Sequence, residues 1–426
     1  MSIIEDAKKR IKREEFIEIA EQENLRLNTV FKEVASGRMV ITPKTKYTQK
    51  ILGVGSKNTP KIAVRIGANM NNYDNAFEIE KAKLAVRYGA DLIINNSTGP
   101  DIPNFNKKLR ETIDVPIGTV PIFEIVQKLR QRDGDIYNTN TEDYINAIES
   151  QLKSGSDFLL SYASITQSAL KNLNLSKQIM KLRSHAGAYV MANMIKRNGE
   201  SLEHENFEYV LELLHEHDTI LLLASALRSD ALVDSNNVAM MDELIEMGRL
   251  VKKAKAANVQ VIAESQKHVH LPTIKPMMRE REAICGKIPF ISFGPIVTDI
   301  SPGYDNINAA IGATAAAAAS ADILFAFPST LEIANPGFEE TRQGIIAAKI
   351  AAHISQLYKN KPQAWEKEKQ MAQAKANNDW EKQYELSLDP RNARLMKEYS
   401  PHNITKKCNL CGDNCAIERA QKRLKN

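Results

Sequence analysis

The sequence predicts an α/β chain built around a (β/α)8 barrel. Short runs rich in Val, Ile and Leu recur between residues 61 and 327, and amphipathic helical stretches separate most of them. Apolar runs without strict alternation are typical of strands buried on both faces of a parallel sheet. Strands that alternate with helices imply right-handed crossovers. About eight such repeats fit a closed barrel better than a doubly wound open sheet, which is the alternative.

The repeats follow one another along the chain. The predicted strands are 61–67, 91–96, 116–120, 157–163, 219–226, 259–264, 290–294 and 322–327. The clearest predicted helices between them are 77–89, 142–153, 205–217 and 242–256. An Ala-rich helix over 306–321 is expected to pack closely on its neighbours, because Ala combines strong helix propensity with little bulk.

Two further regions flank the predicted barrel, which we place at residues 59–358. Residues 1–58 begin with charged, helix-forming sequence in which apolar residues recur at helical spacing, so a short helical N-terminal region is expected. After the barrel the sequence becomes charged and helical and leads to a cysteine motif. This pattern predicts a C-terminal helical arm over residues 359–426.

Composition excludes several classes of protein. The net charge is only +5, from 57 Lys and Arg against 52 Asp and Glu, and aromatic residues make up 6% of the chain, so no nucleic-acid partner is expected. The N-terminus lacks the apolar core of a secretory signal, and no apolar stretch reaches transmembrane length. Four cysteines in 426 residues argue against a disulfide framework, so we expect a cytoplasmic protein without a membrane partner.

Polar strings follow the predicted strands. They are Asn95 to Gly99, Ser161 to Ser164, Ser225 to Asp230 and Glu264 to His270. Chemistry in barrel enzymes lies at the carboxyl ends of the strands, so these strings are expected to line a common pocket. Ordinary loop caps would account for any one string alone.

Three of the four cysteines form a C-x2-C-x3-C motif, Cys408, Cys411 and Cys415. A structural zinc site has four protein ligands, so a zinc knuckle would require His402 or Cys285 as well. The other interpretation is a [4Fe–4S] cluster held by three thiolates, whose fourth iron is open to S-adenosylmethionine. The spacing alone leaves both interpretations open.

Longer strings resemble the phosphomethylpyrimidine synthase family, the radical S-adenosylmethionine enzymes of thiamine pyrimidine synthesis. They are Asn96 to Gly99, Gly118 to Ile122, Gly294 to Asp305, Asp379 to Gln383 and the terminal cysteine motif. The resemblance runs in order from about residue 5 to residue 418 and covers essentially the whole chain. It implies a (β/α)8 barrel, a dimer in which the cluster arm closes over the partner's active site, and aminoimidazole ribotide as substrate. It also implies that Cys408, Cys411 and Cys415 hold the cluster and that an external electron donor is needed.

The chain departs from this family in its pocket. Where the thiamine enzymes have Glu-Gly-Pro-Gly-His, this chain has Glu264-Ser-Gln-Lys-His268, which keeps the acid and the first metal-ligand histidine. Leu331 or Glu332 stands at the place of the second metal histidine, so zinc at His268 is left open. Other replacements put Tyr162 where the family has histidine, Phe123 for tyrosine, Arg65 for asparagine, and Ser184-His-Ala for Ser-Arg-Gly.

An intact cysteine motif beside a rebuilt pocket favours the same radical initiation with a changed product. The resemblance then points to the 5-hydroxybenzimidazole synthase branch, which makes the precursor of the cobamide (vitamin B12) lower ligand from aminoimidazole ribotide in anaerobes. Some members of that branch act as pairs of related polypeptides, so a heteromeric dimer is expected. The alternatives are an ordinary phosphomethylpyrimidine synthase and a non-catalytic paralogue that supports a sister subunit.

Specific residues are candidates within this interpretation. The proposed substrate contacts are Asn96, Tyr162, Ser184, Arg228 and Glu264. Glu264 is also the candidate general acid or base, because that role needs a carboxyl group within reach of the substrate. Its alternative role is a salt bridge at the end of a strand. His268 is the candidate metal ligand in the barrel, with a plain hydrogen-bonding histidine as its alternative.

Overall fold

The computed structural model describes residues 2–45, 48–69, 74–131, 134–135, 137–264, 266–399, 410–411 and 414–424. The chain divides into two compact units, Met1–Ala352 and His353–Asn426. The first unit contains the N-terminal helices, a small sheet and a closed barrel. The second unit consists of helices over its described part.

Eight parallel strands close into a barrel in the first unit. In chain order they are β3 (Lys61–Ile66), β4 (Leu92–Asn95), β5 (Ile117–Thr119), β6 (Phe158–Ser161), β7 (Ile220–Leu223), β8 (Val261–Glu264), β9 (Phe290–Ser292) and β10 (Ile323–Phe325). The last strand pairs with the first, with Ile323 opposite Lys61, so the sheet has no edge. This closure confirms the predicted fold class and excludes the open doubly wound sheet.

The helices of the first unit lie between and around these strands. They are α1 (Ile3–Lys9), α2 (Glu14–Gln22), α3 (Leu27–Ala35), α4 (Asn75–Tyr88), α5 (Ile102–Thr112), α6 (Pro121–Gln131), α7 (Thr141–Lys153), α8 (Gln167–Leu175), α9 (His185–Arg197), α10 (Leu202–Glu205), α11 (Phe207–Glu216), α12 (Val238–Ala256), α13 (Ile274–Cys285) and α14 (Asp305–Ala319). The helices predicted over 77–89, 142–153, 205–217 and 242–256 are confirmed with small shifts at their ends.

Helix α14, which contains the Ala-rich sequence, packs closely on the loop after β9. Its buried face carries small residues, including Ala309, Ala313 and Ala316. A Cβ added to Gly312 would lie 2.0 Å from the Pro295 carbonyl oxygen, so the backbone of the loop after β9 touches the helix. Any larger side chain there would push the loop away, and the expected close packing is confirmed.

The N-terminal residues form more than helices. Phe16, Ile19 and Val30 are buried in a small apolar cluster of α1, α2 and α3. Strands β1 (Met39–Ile41) and β2 (Gly53–Gly55) then form an antiparallel pair that the sequence analysis does not predict. Three-residue strands are too short to show a periodic pattern, which explains the omission.

The remaining helices begin with α15 (Phe338–Tyr358), which continues from the first unit into the second. The second unit then contains α16 (Pro362–Ala376), α17 (Trp380–Leu386), α18 (Pro390–Glu398) and α19 (Ala416–Leu424). Across the described residues, none of the helices has the length and apolar character needed to cross a membrane.

Candidate active site

A cavity of about 260 Å³ lies at the carboxyl ends of the barrel strands. Every barrel strand, or the loop or helix that follows it, contributes to its wall. In strand order these residues are Arg65 and Gly67, Asn96, Phe123, Tyr162, Arg228 and Asp230, Lys267, Phe293 and Phe325. The start of α9 and residues 331–336, which follow β10, complete the wall. The polar strings of the sequence therefore meet at one site, as the barrel topology requires.

Four of the five sequence-predicted substrate contacts line this cavity. They are Asn96, Tyr162, Ser184 and Arg228. Glu264 is not among the described residues that form the wall. It accepts a hydrogen bond from the Ser225 backbone N–H at 2.8 Å and lies 3.6 Å from a guanidinium nitrogen of Arg228. These contacts favour the salt-bridge role of Glu264 over direct proton transfer.

Tyr162 and Ser184 belong to two different elements of the wall, the end of β6 and the start of α9. Burial raises the pKa of Tyr162 to about 12. Ser184 caps α9, since its side chain accepts from the Gly187 N–H at 3.2 Å. Gly187 is needed for this packing, because a Cβ there would lie 2.5 Å from the Ala226 Cβ. Tyr162 is thus held as a neutral phenol at the cavity wall.

A buried carboxylate positions the end of β6. Glu203, on α10, accepts from the Ser161 hydroxyl at 2.7 Å and from the Tyr162 backbone N–H. Its burial raises its pKa to about 7, against 4.5 in the ordinary case. Glu203 therefore fixes the backbone that carries Tyr162, and it changes charge near neutral pH.

A second buried carboxylate fixes the backbone of the loop after β7. Glu243, on α12, accepts from the Ser225 hydroxyl at 2.6 Å and from the Ala226 N–H at 2.7 Å. Burial raises its pKa, while these donors act in the opposite direction. Together with Glu264, Glu243 fixes the path of the chain into Arg228. Sequence spacing gives no signal for Glu203 or Glu243, because both lie on helices and contact earlier segments, 42 and 18 residues before them.

Two guanidinium groups share one aromatic ring, and we call this part of the wall the arginine side: Arg65, Arg228 and Phe293. The Arg65 carbon Cζ lies 4.9 Å from the centre of the Phe293 ring, and that of Arg228 lies 4.5 Å from it. Stacking on an aromatic face is a favourable contact for a guanidinium group. Arg228 is paired with Glu264, and its charge is partly compensated.

Arg65 is different, and sequence reasoning did not include it among the substrate contacts. Its Nε is buried without a hydrogen-bond partner, as is that of Arg228, but no carboxylate of the described residues lies within ion-pair distance of Arg65. Burial and then the charge of Arg228 lower its pKa. Burial, followed by Arg65 and two further arginines, also lowers the pKa of His185 across the cavity. The signal that could have found Arg65 is its departure from the family pattern.

A second cluster of the wall, which we call the lysine side, consists of Asp230, Lys267 and Glu332. The Lys267 ammonium lies 3.0 Å from an Asp230 carboxylate oxygen and 2.6 Å from one of Glu332. Its side chain is only 7% exposed. Glu332 also pairs with Arg183, and its backbone N–H donates to Asp305 at 2.8 Å. Each cation here has a carboxylate partner.

His268 lies next to the lysine side. Its Nδ1 is 2.7 Å from a carboxylate oxygen of Asp299, and because a carboxylate accepts, Nδ1 carries the proton. Burial, followed by the Lys267 charge, lowers the pKa of His268, which keeps the ring neutral. Its Nε2 is buried and has no hydrogen-bond partner in the described part of the chain. That nitrogen is what a metal ligand would offer.

The rest of a metal site is not assembled around this nitrogen. Leu331 offers no donor atom, and Glu332 is already paired with Lys267 and Arg183. Over the ranges that the structure describes, no group of three or more His, Cys, Asp or Glu side chains is placed to hold a metal ion. A barrel zinc site, for which three protein ligands are usual, therefore does not fit the residues present.

The cysteine motif lies in the second unit, and Cys408 is outside the described residues. Cys411 is exposed and Cys415 is partly exposed, and neither is in a disulfide. The Asn414 N–H donates to the Cys411 carbonyl at 3.0 Å. Accessible thiols close together in sequence fit an iron–sulfur cluster. Cys285, a candidate fourth zinc ligand, is buried, and burial raises the pKa of its thiol, which disfavours the thiolate.

Comparisons with known proteins identify the family of the chain. The model of the radical SAM ThiC family matches residues 2–422. The phosphomethylpyrimidine synthase of Methanocaldococcus jannaschii is 36% identical over 417 residues, which are 98% of each chain. Phosphomethylpyrimidine synthase 2 of Methanothermobacter thermautotrophicus is 34% identical over the same share of both chains.

Among solved structures, a dihydropteroate synthase from Stenotrophomonas maltophilia covers 75% of this chain and 100% of its own, with a TM-score of 0.44 and 10% identity. A likeness of this size does not bear on function. The family model, in contrast, matches residues 2–422. The two synthases are 36% and 34% identical to this chain over 98% of its length. The chain belongs to the radical SAM ThiC family.

Proposed function

We propose that this chain is a radical S-adenosylmethionine lyase that converts aminoimidazole ribotide into the phosphomethylpyrimidine used for thiamine. Its full-length relatives carry the name phosphomethylpyrimidine synthase, which supports this product. Membership of a radical SAM family implies a [4Fe–4S] cluster and S-adenosylmethionine. When bound, they supply the 5′-deoxyadenosyl radical that starts the reaction.

Cys408, Cys411 and Cys415 are the proposed cluster ligands. Three thiolates leave one iron of a four-iron cluster without a protein ligand, so that a small molecule can bind there. The exposed Cys411 and the partly exposed Cys415 suit this role better than the buried Cys285 does. The reaction also requires an electron from an external donor.

The observation that carries the choice of substrate class is the uncompensated charge on the arginine side. Aminoimidazole ribotide carries a phosphate, and an arginine without a carboxylate partner is suited to bind one. Arg65 meets this description at the end of β3. We assign the phosphate to Arg65, with Arg228 as its neighbour. Asn96, Tyr162 and Ser184 then offer amide and hydroxyl groups to the rest of the ligand.

Glu264 is assigned as a positioning residue. Its carboxylate contacts the Ser225 N–H and Arg228 rather than the cavity. It holds the Arg228 guanidinium on the Phe293 ring and compensates its charge.

A second candidate function is formation of 5-hydroxybenzimidazole from the same substrate, together with a related polypeptide. Three cavity residues favour it, since Arg65, Tyr162 and Lys267 stand where the resemblance to thiamine enzymes gives asparagine, histidine and glycine. A changed wall alters how the substrate fragments are held during recombination. The shared substrate means that the arginine side has the same role in both functions.

Product identification separates the two functions. The chain is purified anaerobically with its cluster reconstituted, and is supplied with S-adenosylmethionine, a reductant and aminoimidazole ribotide, alone and with any paralogue from its own genome. In the sample without a paralogue, mass spectrometry is expected to show hydroxymethylpyrimidine phosphate. Hydroxybenzimidazole, formed alone or only with the paralogue, would replace the first proposal by the second. A chain that binds iron yet turns over no ribotide in either sample would contradict both.

A further inference from the structure

The lysine side contains a buried cation held by two carboxylates. Asp230 follows β7, Lys267 follows β8 and Glu332 follows β10, so one ammonium group joins three loops of the barrel mouth. The two distances, 3.0 and 2.6 Å, are those of charge-assisted hydrogen bonds. Carboxylates that converge on one point from separate loops are also the usual surroundings of a divalent cation.

We propose that the Lys267 ammonium takes the place of a metal ion in this barrel, and that the chain binds no zinc at His268. The ammonium supplies the positive charge between Asp230 and Glu332 from within the chain. His268 keeps a buried Nε2 without a partner, but the two carboxylates that could join it are already bound to Lys267. The inference rests on family membership and holds for either product.

Charge explains why the lysine and a metal exclude one another. Lys267 and Arg183 balance Asp230 and Glu332. The two other carboxylates nearby are already engaged, Asp299 with His268 Nδ1 and Asp305 with the Glu332 backbone N–H. A divalent ion on His268 would bring two further positive charges next to a buried ammonium. Repulsion between charges is strong where water is excluded, and no free carboxylate oxygen of Glu332 remains to offset it.

The same geometry predicts what removal of the lysine creates. Without the ammonium, Asp230 and Glu332 face each other across the space that Nζ occupied, and the second Asp230 oxygen is already buried without a partner. The side chains of the described chain are not placed as three metal ligands as they stand. Once Lys267 no longer occupies the two carboxylates, they and His268 would be free to close on an ion, and all three are of the types that zinc accepts. The variant Lys267→Ala is therefore expected to gain a cation site that the natural chain lacks.

The first arm of the test measures zinc in the natural chain. The full chain, with its cluster reconstituted beforehand, is equilibrated with zinc and desalted, and zinc and iron are counted by mass spectrometry. Zinc that remains is expected to be the same in the natural chain and in His268→Ala, because zinc on the cysteines contributes equally to both. About one zinc per chain that disappears in His268→Ala would overturn the proposal. This arm needs no lysine variant to fold.

The second arm measures the gain. Lys267→Ala is expected to bind about one additional zinc per chain, to lose it in the double variant Lys267→Ala/His268→Ala, and to melt at a higher temperature when zinc is present. Lys81→Ala is the matched control, because Lys81 lines the same cavity and is equally buried, but pairs with a single carboxylate, Glu78, at 2.6 Å. The control is expected to gain none. A folded Lys267→Ala that gains no zinc would show that the lysine is not what replaces the metal. Enzyme activity enters neither arm, so the result is independent of the proposed product.

Discussion

The two sides of the cavity treat buried charge in different ways. On the lysine side, one ammonium is enclosed by two carboxylates, Asp230 and Glu332. On the arginine side, two guanidinium groups share a single ion-paired carboxylate, and Arg65 has none in the described chain. A compensated cluster needs no ligand, whereas an uncompensated cation is completed by an anion. We therefore expect the lysine side to hold the loops of the barrel mouth together, and the arginine side to bind the substrate phosphate.

The largest expected effect comes from removing the one carboxylate charge that pairs with the arginine side. Glu264→Gln keeps the shape of the side chain but leaves Arg228 as well as Arg65 without a carboxylate. Breaking a buried pair by removing one partner costs about 3 kcal/mol of unfolding free energy or more. Urea denaturation followed by circular dichroism should show this loss at pH 7. A loss below about 1 kcal/mol, the range of exposed pairs, would mean that Glu264 does not compensate Arg228.

The next effect concerns a buried carboxylate that has no cation partner in the described residues, Glu203. Its pKa of about 7 in the fold lies above 4.5, so the folded protein binds the proton more tightly than the unfolded chain does. The contribution of this tighter proton binding to the free energy of unfolding is complete below pH 4.5 and is lost as the pH rises through about 7. At about 1.4 kcal/mol for each pH unit of difference, the loss approaches about 3 kcal/mol.

Glu203→Gln removes the titrating group but keeps an acceptor for Ser161 and Tyr162. Between pH 5 and pH 8, the unfolding free energy of the natural chain should fall relative to that of the variant. Other titrating groups contribute to both proteins, so the difference between the two curves isolates Glu203. Parallel curves over this range would contradict the raised pKa.

Replacing Arg65 tests the assignment of the phosphate. Arg65→Asn is expected to weaken the binding of aminoimidazole ribotide by about 10- to 100-fold, because a hydrogen bond to a charged group contributes about 1.5–3 kcal/mol. Binding of the riboside, which lacks the phosphate, should change little. Isothermal titration under anaerobic conditions measures both affinities in the same preparation.

Arg183→Gln is the matched control for this measurement, since Arg183 also lines the cavity but pairs with the Glu332 carboxylate. Its effect on ribotide binding should be smaller than that of Arg65→Asn. Equal losses for ribotide and riboside in Arg65→Asn would show that the arginine shapes the cavity without contacting the phosphate.

The smallest effect is expected far from the cavity, at an exposed ion pair of the second unit. Glu381 and Arg394 lie in contact on α17 and α18, with side chains 75% and 45% exposed. Water screens such a pair, so Glu381→Gln should cost less than about 1 kcal/mol. The same urea experiment measures it beside Glu264→Gln. If Glu381→Gln lowered the free energy of unfolding as much as Glu264→Gln does, burial would not explain how strongly an ion pair stabilises this protein.

The sequence was sufficient for the barrel because burial on both faces leaves a direct mark on composition. Strands such as β6 and β7 are buried at every position, and their runs of Leu and Ile show it. The cavity position followed from topology, since residues after parallel strands must share one end of a barrel. Asn96, Tyr162 and Arg228 were found for that reason, whereas Ser184 was found through the family resemblance.

What the sequence could not provide depends on contacts between distant parts of the chain. Glu203 and Glu243 look like ordinary helical glutamates, and only the fold brings them beneath Tyr162 and Ser225. Lys267 reads as a departure from a family string, but the string does not show that its ammonium reaches Glu332. Glu264 has the composition of a catalytic acid, and only its distance to Arg228 favours a positioning role.

The most direct test of the proposed function is formation of 5′-deoxyadenosine under anaerobic conditions. The cluster-loaded chain is mixed with S-adenosylmethionine and a reductant, with and without aminoimidazole ribotide, and 5′-deoxyadenosine is quantified by liquid chromatography. Our proposal predicts a ribotide-dependent increase that Cys411→Ala abolishes and that Arg65→Asn shifts to higher ribotide concentration. No increase from a chain that carries its cluster and binds the ribotide would contradict it.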